Sequence, residues 1–78
     1  MRVRVIPYAE LRRHILPKGQ DSLWLDVPDG TTVGDVVRQL NVKVLDRLIV
    51  GLDGTYAPLN TPLHDNAELT LVTPMEGG

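Results

Sequence analysis

The chain has 78 residues, 42% hydrophobic and 23% charged, which predicts one globular domain rather than a disordered segment. The formal net charge is -2, whereas nucleic-acid-binding proteins usually carry clustered positive charge. The lack of cysteine excludes disulfides, thiolate catalysis and cysteine-ligated metal sites. No apolar run approaches the ~20 residues of a membrane span, and the start MRVRV is unlike a signal peptide. We therefore expect a cytoplasmic protein with no nucleic-acid or membrane partner.

The first third of the chain predicts two strands around a short helical turn. Residues 1–6 alternate, with Val3 and Val5 on one face and arginines on the other. Pro7 is expected to end this strand, and residues 8–15 then carry apolar side chains at helical spacing. Residues 23–27 alternate again, with Trp24 on the face opposite the leucines. Four arginines in this region form a short, interrupted basic cluster, which we interpret as a solvated face.

The clearest helix signal begins at Thr32, a residue suited to capping the first turn. Asp35 follows three positions later, as in a capping box, and its charge suits the positive end of the helix dipole. Asn41 is expected to end the helix. The residues that would form its buried stripe are Val33, Val36, Val37 and Leu40.

The last third of the chain predicts three strands. Residues 47–52 are nearly all apolar and favour a strand buried on both faces. Asp53-Gly54 indicates a hairpin into residues 55–59, where Pro58 and Pro62 keep the second arm short and at an edge. Residues 67–73 alternate, so Leu69 and Leu71 face one way and Val72 the other.

This order of elements predicts an α+β fold in which a mixed sheet of four to five strands packs on one main helix. The helical crossover allows the first and last strands to lie side by side, parallel, in the middle of the sheet. That is the β-grasp, or ubiquitin-like, arrangement. We assign residues 1–73 to this domain and residues 74–78 to a flexible C-terminal tail.

Side-chain catalysis is not expected from this sequence. The two histidines, His14 and His64, are far apart and lack companion ligands, so no metal site is predicted. The segment DGTTVG lacks the lysine and the spacing of a phosphate-binding loop. We expect a non-catalytic protein that binds no cofactor or metal and acts through a surface for partners.

The sequence closes on Gly77 and Gly78, after a proline that cannot extend the last strand as a hydrogen-bonded rung. Pro74 would stiffen the exit from the sheet, and Glu76 would keep the tip in water. Glycines have no Cβ and can pass a narrow channel. An α-carboxylate on such an arm can be converted to an acyl-adenylate with ATP and then attacked by sulfur or nitrogen.

Several motifs in sequence order carry a family resemblance. An aromatic-Ala-x-Leu-Arg stretch spans residues 8–12, a Pro-x-Gly-x-Thr-Val turn spans residues 28–33, and a Val-Asn-Gly-like hairpin is matched loosely at residues 50–54. A Thr-Pro-Leu-x-Asp segment follows from residue 61, and the diglycine comes last. Over nearly its whole length the chain resembles the ubiquitin-like sulfur carriers, namely the small subunit of molybdopterin synthase and the thiamine-pathway sulfur carrier.

The resemblance implies two partner proteins and a reaction at Gly78. An E1-like adenylating enzyme would use ATP to adenylate Gly78, which is then converted to a thiocarboxylate. The large synthase subunit would next receive the sulfur for a pterin precursor of the molybdenum or tungsten cofactor. Family docking uses an apolar patch beside the tail, for which the candidates are Leu59, Val72 and Met75. The alternative for Leu59 is a buried edge residue.

The resemblance leaves the pathway open. The family tail often reads Pro-Pro-Val-Ser-Gly-Gly, whereas this chain has Thr73, Pro74, Met75 and Glu76, the last three being candidate partner-binding residues. The short connection between helix and third strand is closer to the thiamine branch. A protein modifier joined to lysines through Gly78 would need the same activation, and an interaction module with incidental glycines is a further alternative.

Overall fold

A computed structural model of the protein describes residues 1–42 and 47–73. The helices and strands run in the order β1 (Arg2–Pro7), α1 (Glu10–Ile15), β2 (Leu23–Asp26), α2 (Val33–Gln39), β3 (Ile49–Leu52), β4 (Thr55–Tyr56) and β5 (Ala67–Val72). The five strands form one sheet in the order β2-β1-β5-β3-β4. No helix within the described ranges has the length and hydropathy that crossing a bilayer requires.

The central strands β1 and β5 are parallel, and every other neighbouring pair is antiparallel. This confirms the predicted β-grasp arrangement. Because β1 and β5 run the same way, the chain leaves the sheet after Val72 at the end where β1 meets α1. The backbone N–H of Tyr8, the residue that follows β1, donates to the carbonyl of Leu71 in β5 at 3.0 Å. This hydrogen bond holds the ends of the two strands together.

One face of the sheet forms the core with α2. Leu69 and Leu71 of β5 are fully buried, as are Val3 and Val5 of β1. The apolar stripe predicted for α2 is confirmed, since Val33, Val36 and Val37 have no exposed surface and Leu40 packs against the same cluster. The core therefore consists of aliphatic side chains held between one sheet face and one short helix.

The seven-residue helix α2 begins as predicted, at a capping box. Thr32 Oγ1 accepts from the backbone N–H of Asp35 at 3.3 Å, and Asp35 Oδ2 accepts from the backbone N–H of Thr32 at 3.0 Å. The N–H groups of Val33 and Gly34 donate to the carbonyls of Thr61 and Leu59, so the loop after β4 satisfies the first turn. Asn41, with φ of 59°, follows the helix in the left-handed region, as expected of a terminator.

The strand prediction for residues 47–52 was wrong in one respect. Val50 is buried, but Ile49 is 45% exposed and Gly51 is half-buried, so β3 is covered on one face only. The reason is that α2 covers just one side of the sheet. The hairpin prediction is confirmed: Asp53 and Gly54 have φ of 52° and 86°, and β4 is a two-residue edge strand.

Candidate functional site

The sheet face that α2 does not cover, here called the open face, is built from outward-pointing residues of all five strands. Alternation places Glu68, Thr70 and Val72 of β5 on it, opposite the buried Leu69 and Leu71. The register sets Ile49 of β3 beside Val72 and Gly51 beside Thr70. Two neighbouring strands thus present apolar or small side chains at the end where β5 finishes.

A groove of about 250 Å³ lies across this part of the open face. We call it the β3 groove; its lining residues are Ile49, Val50, Gly51, Gly54, Thr55, Tyr56, Thr70 and Val72. Ile49 and Tyr56, 45% and 71% exposed, form its two apolar sides. Gly51 leaves the groove deeper than another residue would, because an added Cβ would occupy space beside Thr70 Cβ, 3.6 Å away. Exposed apolar surface around a concavity is typical of a protein-docking site.

The prediction that Val72 faces away from the core is confirmed: it is half-buried and lines the β3 groove. Leu59 lies elsewhere. It packs against the core cluster, its carbonyl accepts from Gly34 N–H at 2.7 Å, and it therefore sits on the helix side of the sheet. The sheet separates Leu59 from Val72, so the two do not share one patch.

The turn that borders the β3 groove is held by an Asp–His pair. Asp53 Oδ1 accepts from the backbone N–H of Glu68 at 3.0 Å, and Asp53 Oδ2 contacts His64 Nε2. The hydrogen bond from His64, followed by that from Glu68, lowers the pKa of Asp53. The hydrogen bond to Asp53, followed by that to the Asp65 carbonyl, raises the pKa of His64. The pair ties the β3–β4 turn to the loop before β5.

The other half of the open face is charged and aromatic. Trp24 is 42% exposed, and the guanidinium carbon atoms of Arg2 and Arg4 lie 4.6 Å and 6.0 Å from its ring centroid. Arg4 also donates to Ser22 Oγ at 3.1 Å and lies 3.9 Å from a carboxylate oxygen of Glu68. These cation–π contacts run across β1 and β2, which lie on the side of β5 away from β3.

The predicted reactive tail lies outside the described residues. This applies to Gly77 and Gly78 and to the partner-binding candidates Pro74, Met75 and Glu76. The described part of the chain ends at Thr73, one residue after Val72. The described residues hold no group of three or more His, Asp or Glu side chains that could bind a metal ion.

The sequence reasoning missed Ile49, Gly51 and Tyr56 as surface residues. Residues 47–52 were interpreted as buried on both faces because nearly all of them are apolar. The signal that could have found them is the count of helices: a single main helix can cover one face of a sheet, so the other face of β3 must be open.

A family model described as the ThiS family matches residues 8–78. Among curated proteins, two threonine–tRNA ligases, from Geobacillus kaustophilus and Halalkalibacterium halodurans, are 33% identical over 54 and 55 residues. The chain spans only 8% of the length of these two relatives.

The solved structures that are similar over nearly the whole chain include the following three. SAMP1, small archaeal modifier protein 1, from Haloferax volcanii gives a TM-score of 0.81 at 23% identity, with 100% of both chains covered. A putative molybdopterin converting factor subunit 1 from Pyrococcus furiosus gives 0.78 at 19% identity, covering 95% of this chain and 98% of that one. A chain from the complex of subunits 1 and 2 of the Helicobacter pylori molybdopterin-converting factor gives 0.64 at 21% identity, with 100% of both chains covered. At these identities the likeness establishes the fold.

Proposed function

Since the chain belongs to the ThiS family, a family of ubiquitin-like sulfur carriers, we propose that it carries sulfur as a thiocarboxylate on Gly78. The observation that carries this proposal is the family match itself, which runs over residues 8–78 and so includes Gly77 and Gly78. The protein on this account is not itself an enzyme. It presents a reactive group to catalytic partners.

The proposed chemistry takes place at one carboxylate in two displacements. The Gly78 carboxylate attacks the α-phosphorus of ATP held by an E1-like adenylating enzyme, and pyrophosphate leaves. Hydrosulfide then attacks the acyl carbon; a C–S bond forms, the C–O bond to phosphate breaks, AMP leaves, and loss of the S–H proton to solvent gives the thiocarboxylate. The absence of a side chain at Gly77 and Gly78 leaves the acyl carbon open to attack.

The open face supplies the docking surface in this proposal. Val72 lines the β3 groove and lies one residue before the end of the described chain. A partner that covers the groove therefore also contacts Val72, just before the tail begins. We propose that Pro74, Met75 and Glu76, the next residues along the chain, bind the same partner. Leu59 has no part in this surface, because it lies on the helix side.

We propose the large subunit of molybdopterin synthase as the sulfur-accepting partner, with this chain as the small subunit. Support comes from the likeness to the Helicobacter pylori complex of subunits 1 and 2 and to the Pyrococcus furiosus protein, which share the fold. The thiazole pathway of thiamine synthesis is the alternative acceptor. Sulfur transfer from the thiocarboxylate form to a pterin precursor with the large subunit, but not to thiazole synthase, would distinguish the two.

The activation step is tested by ATP–pyrophosphate exchange. The protein is mixed with the E1-like enzyme of the same organism, and exchange of labelled pyrophosphate into ATP is measured. Exchange is expected with the chain as given and is lost when Gly78 is deleted, since only the intact tail presents the acyl group. Equal exchange with and without Gly78 would refute adenylation at that residue.

A protein-modifier function is the second candidate, because SAMP1 is a small archaeal modifier protein with the same fold. The same adenylate would then be attacked by lysine amines of target proteins. Isopeptide-linked Gly-Gly remnants on other proteins in cells expressing this chain would favour this function, whereas a thiocarboxylate pool without such remnants would favour the carrier.

A further inference from the structure

A second and larger concavity lies between the last turn of α1 and the loop that follows it. We call it the α1 groove; it has a volume of about 440 Å³ and is lined by Arg12, Arg13, Leu16, Pro17, Lys18, Gly19 and Gln20. No residue is shared with the β3 groove. Its size lies in the range of ordinary ligand pockets, which is roughly 300–1,000 Å³.

The local sequence gives this groove a defined shape. Leu16 is buried and caps the C-terminus of α1. Its backbone N–H donates to the Arg12 carbonyl at 3.0 Å. The carbonyl of Pro17 accepts from Gln20 N–H at 3.2 Å, in a turn that Gly19 makes possible with φ of 91°. An ion pair between Arg12 and Asp21 joins the helix to the end of the loop. The end of α1 and the Pro17–Gln20 turn therefore flank the apolar lining of Leu16 and Pro17.

The rim of the α1 groove is positive in a protein that is negative overall. Three of the eight Lys and Arg residues line it, while the whole chain carries -2. Asp21 compensates Arg12, and Glu10 lies in the first turn of α1, outside the lining. Within the described ranges, Arg13 and Lys18 have no carboxylate within 4.0 Å. Two cations thus line an apolar groove, and neither has a partner of opposite charge among residues 1–42 and 47–73.

We propose that the α1 groove binds an acidic peptide segment of a partner protein. An apolar side chain of that segment rests on Leu16 and Pro17, and its carboxylates pair with Arg13 and Lys18. The groove is concave, which suits a side chain better than a flat lipid surface. The apolar lining of Leu16 and Pro17 favours a peptide, which carries apolar side chains among its acids, over a polyphosphate chain, which carries none. This inference does not depend on the sulfur-carrier proposal.

The test is an NMR titration of the ¹⁵N-labelled protein with a synthetic peptide of Asp and Glu residues around one central Leu. Amide shifts are expected in residues 12–20, with an affinity that falls as salt is added. The Arg13→Glu, Lys18→Glu double variant should weaken binding by about tenfold or more, the loss of roughly 1.4 kcal/mol or more. A control variant, Arg2→Glu, changes charge at the start of β1, the end of that strand opposite to α1, and should bind as the wild type does.

Two altered peptides and two other polyanions serve as controls. The same peptide with Lys in place of the acids should not bind, and replacing the central Leu with Ser should weaken binding. Shifts confined to other residues, or equal binding by the double variant, would overturn the proposal. So would tighter binding of a single-stranded oligonucleotide or of anionic phosphatidylserine vesicles at the same residues. If charge reversal disturbs the sheet resonances, Arg13→Gln with Lys18→Gln provides the milder pair.

Discussion

At the scale of single residues, Gly34 and Gly51 show two different uses of a missing Cβ. A Cβ at Gly34 would stand 3.0 Å from the Leu59 carbonyl oxygen and 3.3 Å from Leu59 Cβ. That carbonyl already accepts from Gly34 N–H at 2.7 Å, so it cannot withdraw without weakening the contact that holds the loop on α2. At Gly51 the nearest atom, Thr70 Cβ, is at 3.6 Å, an ordinary contact. Gly34 therefore allows the loop to pack closely on α2, whereas Gly51 leaves space in the β3 groove.

The two glycines can be compared directly by substitution. Gly34→Ala should lower the free energy of unfolding by about 1–2 kcal/mol, since the overpacking outweighs the gain in helix propensity. Gly51→Ala should raise it by about 0.5 kcal/mol, because alanine loses less entropy in a strand. Urea denaturation of both variants measures the difference. A more stable Gly34→Ala variant would contradict the close approach of Leu59 to α2.

Val72 is the residue through which the docking proposal is most easily tested. Val72→Asp should weaken binding of the large synthase subunit by about tenfold or more, because a desolvated carboxylate would replace an apolar contact. Isothermal titration calorimetry measures the affinity. Asn60→Asp adds the same charge in the exposed loop near Leu59, on the helix side, and should leave the affinity unchanged. Equal affinities for both variants would place the interface elsewhere.

At the scale of elements, α2 is too short to be stable without its cap and its packing. Thr32→Ala removes the side chain that accepts from Asp35 N–H and should cost about 1 kcal/mol of stability. Thr32→Ser keeps the hydroxyl and should lose much less. Thermal or urea unfolding of the two variants checks the capping box, and an equal loss in both would show that the methyl group, not the hydroxyl, matters.

The Asp53–His64 pair predicts a pH dependence of stability. The folded state raises the pKa of His64, so its contribution is full below the ordinary value of 6.5 and is lost as pH rises through the raised value. The folded state lowers the pKa of Asp53, so its contribution is full above 3.8 and is lost as pH falls through the lowered value. The pair therefore contributes most between these two ordinary values.

The check is urea denaturation at a series of pH values above 6. Wild type should lose stability as His64 deprotonates, whereas His64→Gln should show a flatter profile. His14→Gln removes the other histidine, which lies on α1, and should keep the wild-type profile. A wild-type profile that matches His64→Gln would mean that the pair has no energetic role in solution.

The sequence predicted most elements because most of the strands and helices have a simple apolar period. Alternation located β1, β2 and β5, and Thr32 with its valine stripe located α2. The apolar run at residues 47–52 located β3 but gave the wrong burial for it, because a nearly continuous apolar run hides which residues face solvent. It also could not place Leu59, since its position depends on a loop that folds back onto α2, a contact with no local pattern.

At the scale of the whole molecule, the fold places the ends of β1 and β5 at the same end of the sheet. The parallel pairing of β1 and β5 sets the start of α1 and the root of the tail side by side, with the β3 groove beside them. A helical crossover is needed for this pairing, and the order of elements predicted it. The identity of the sulfur acceptor could not be predicted, because it depends on how partners fit the open face and the tail.

The central claim is that Gly78 becomes a thiocarboxylate. The most direct measurement is the intact mass of the protein after incubation with its E1-like adenylating enzyme, ATP and sulfide. We predict a mass gain equal to the difference between sulfur and oxygen, located at Gly78 by fragmentation and absent without ATP. An unchanged mass, in a reaction where the enzyme converts ATP normally, would contradict the account.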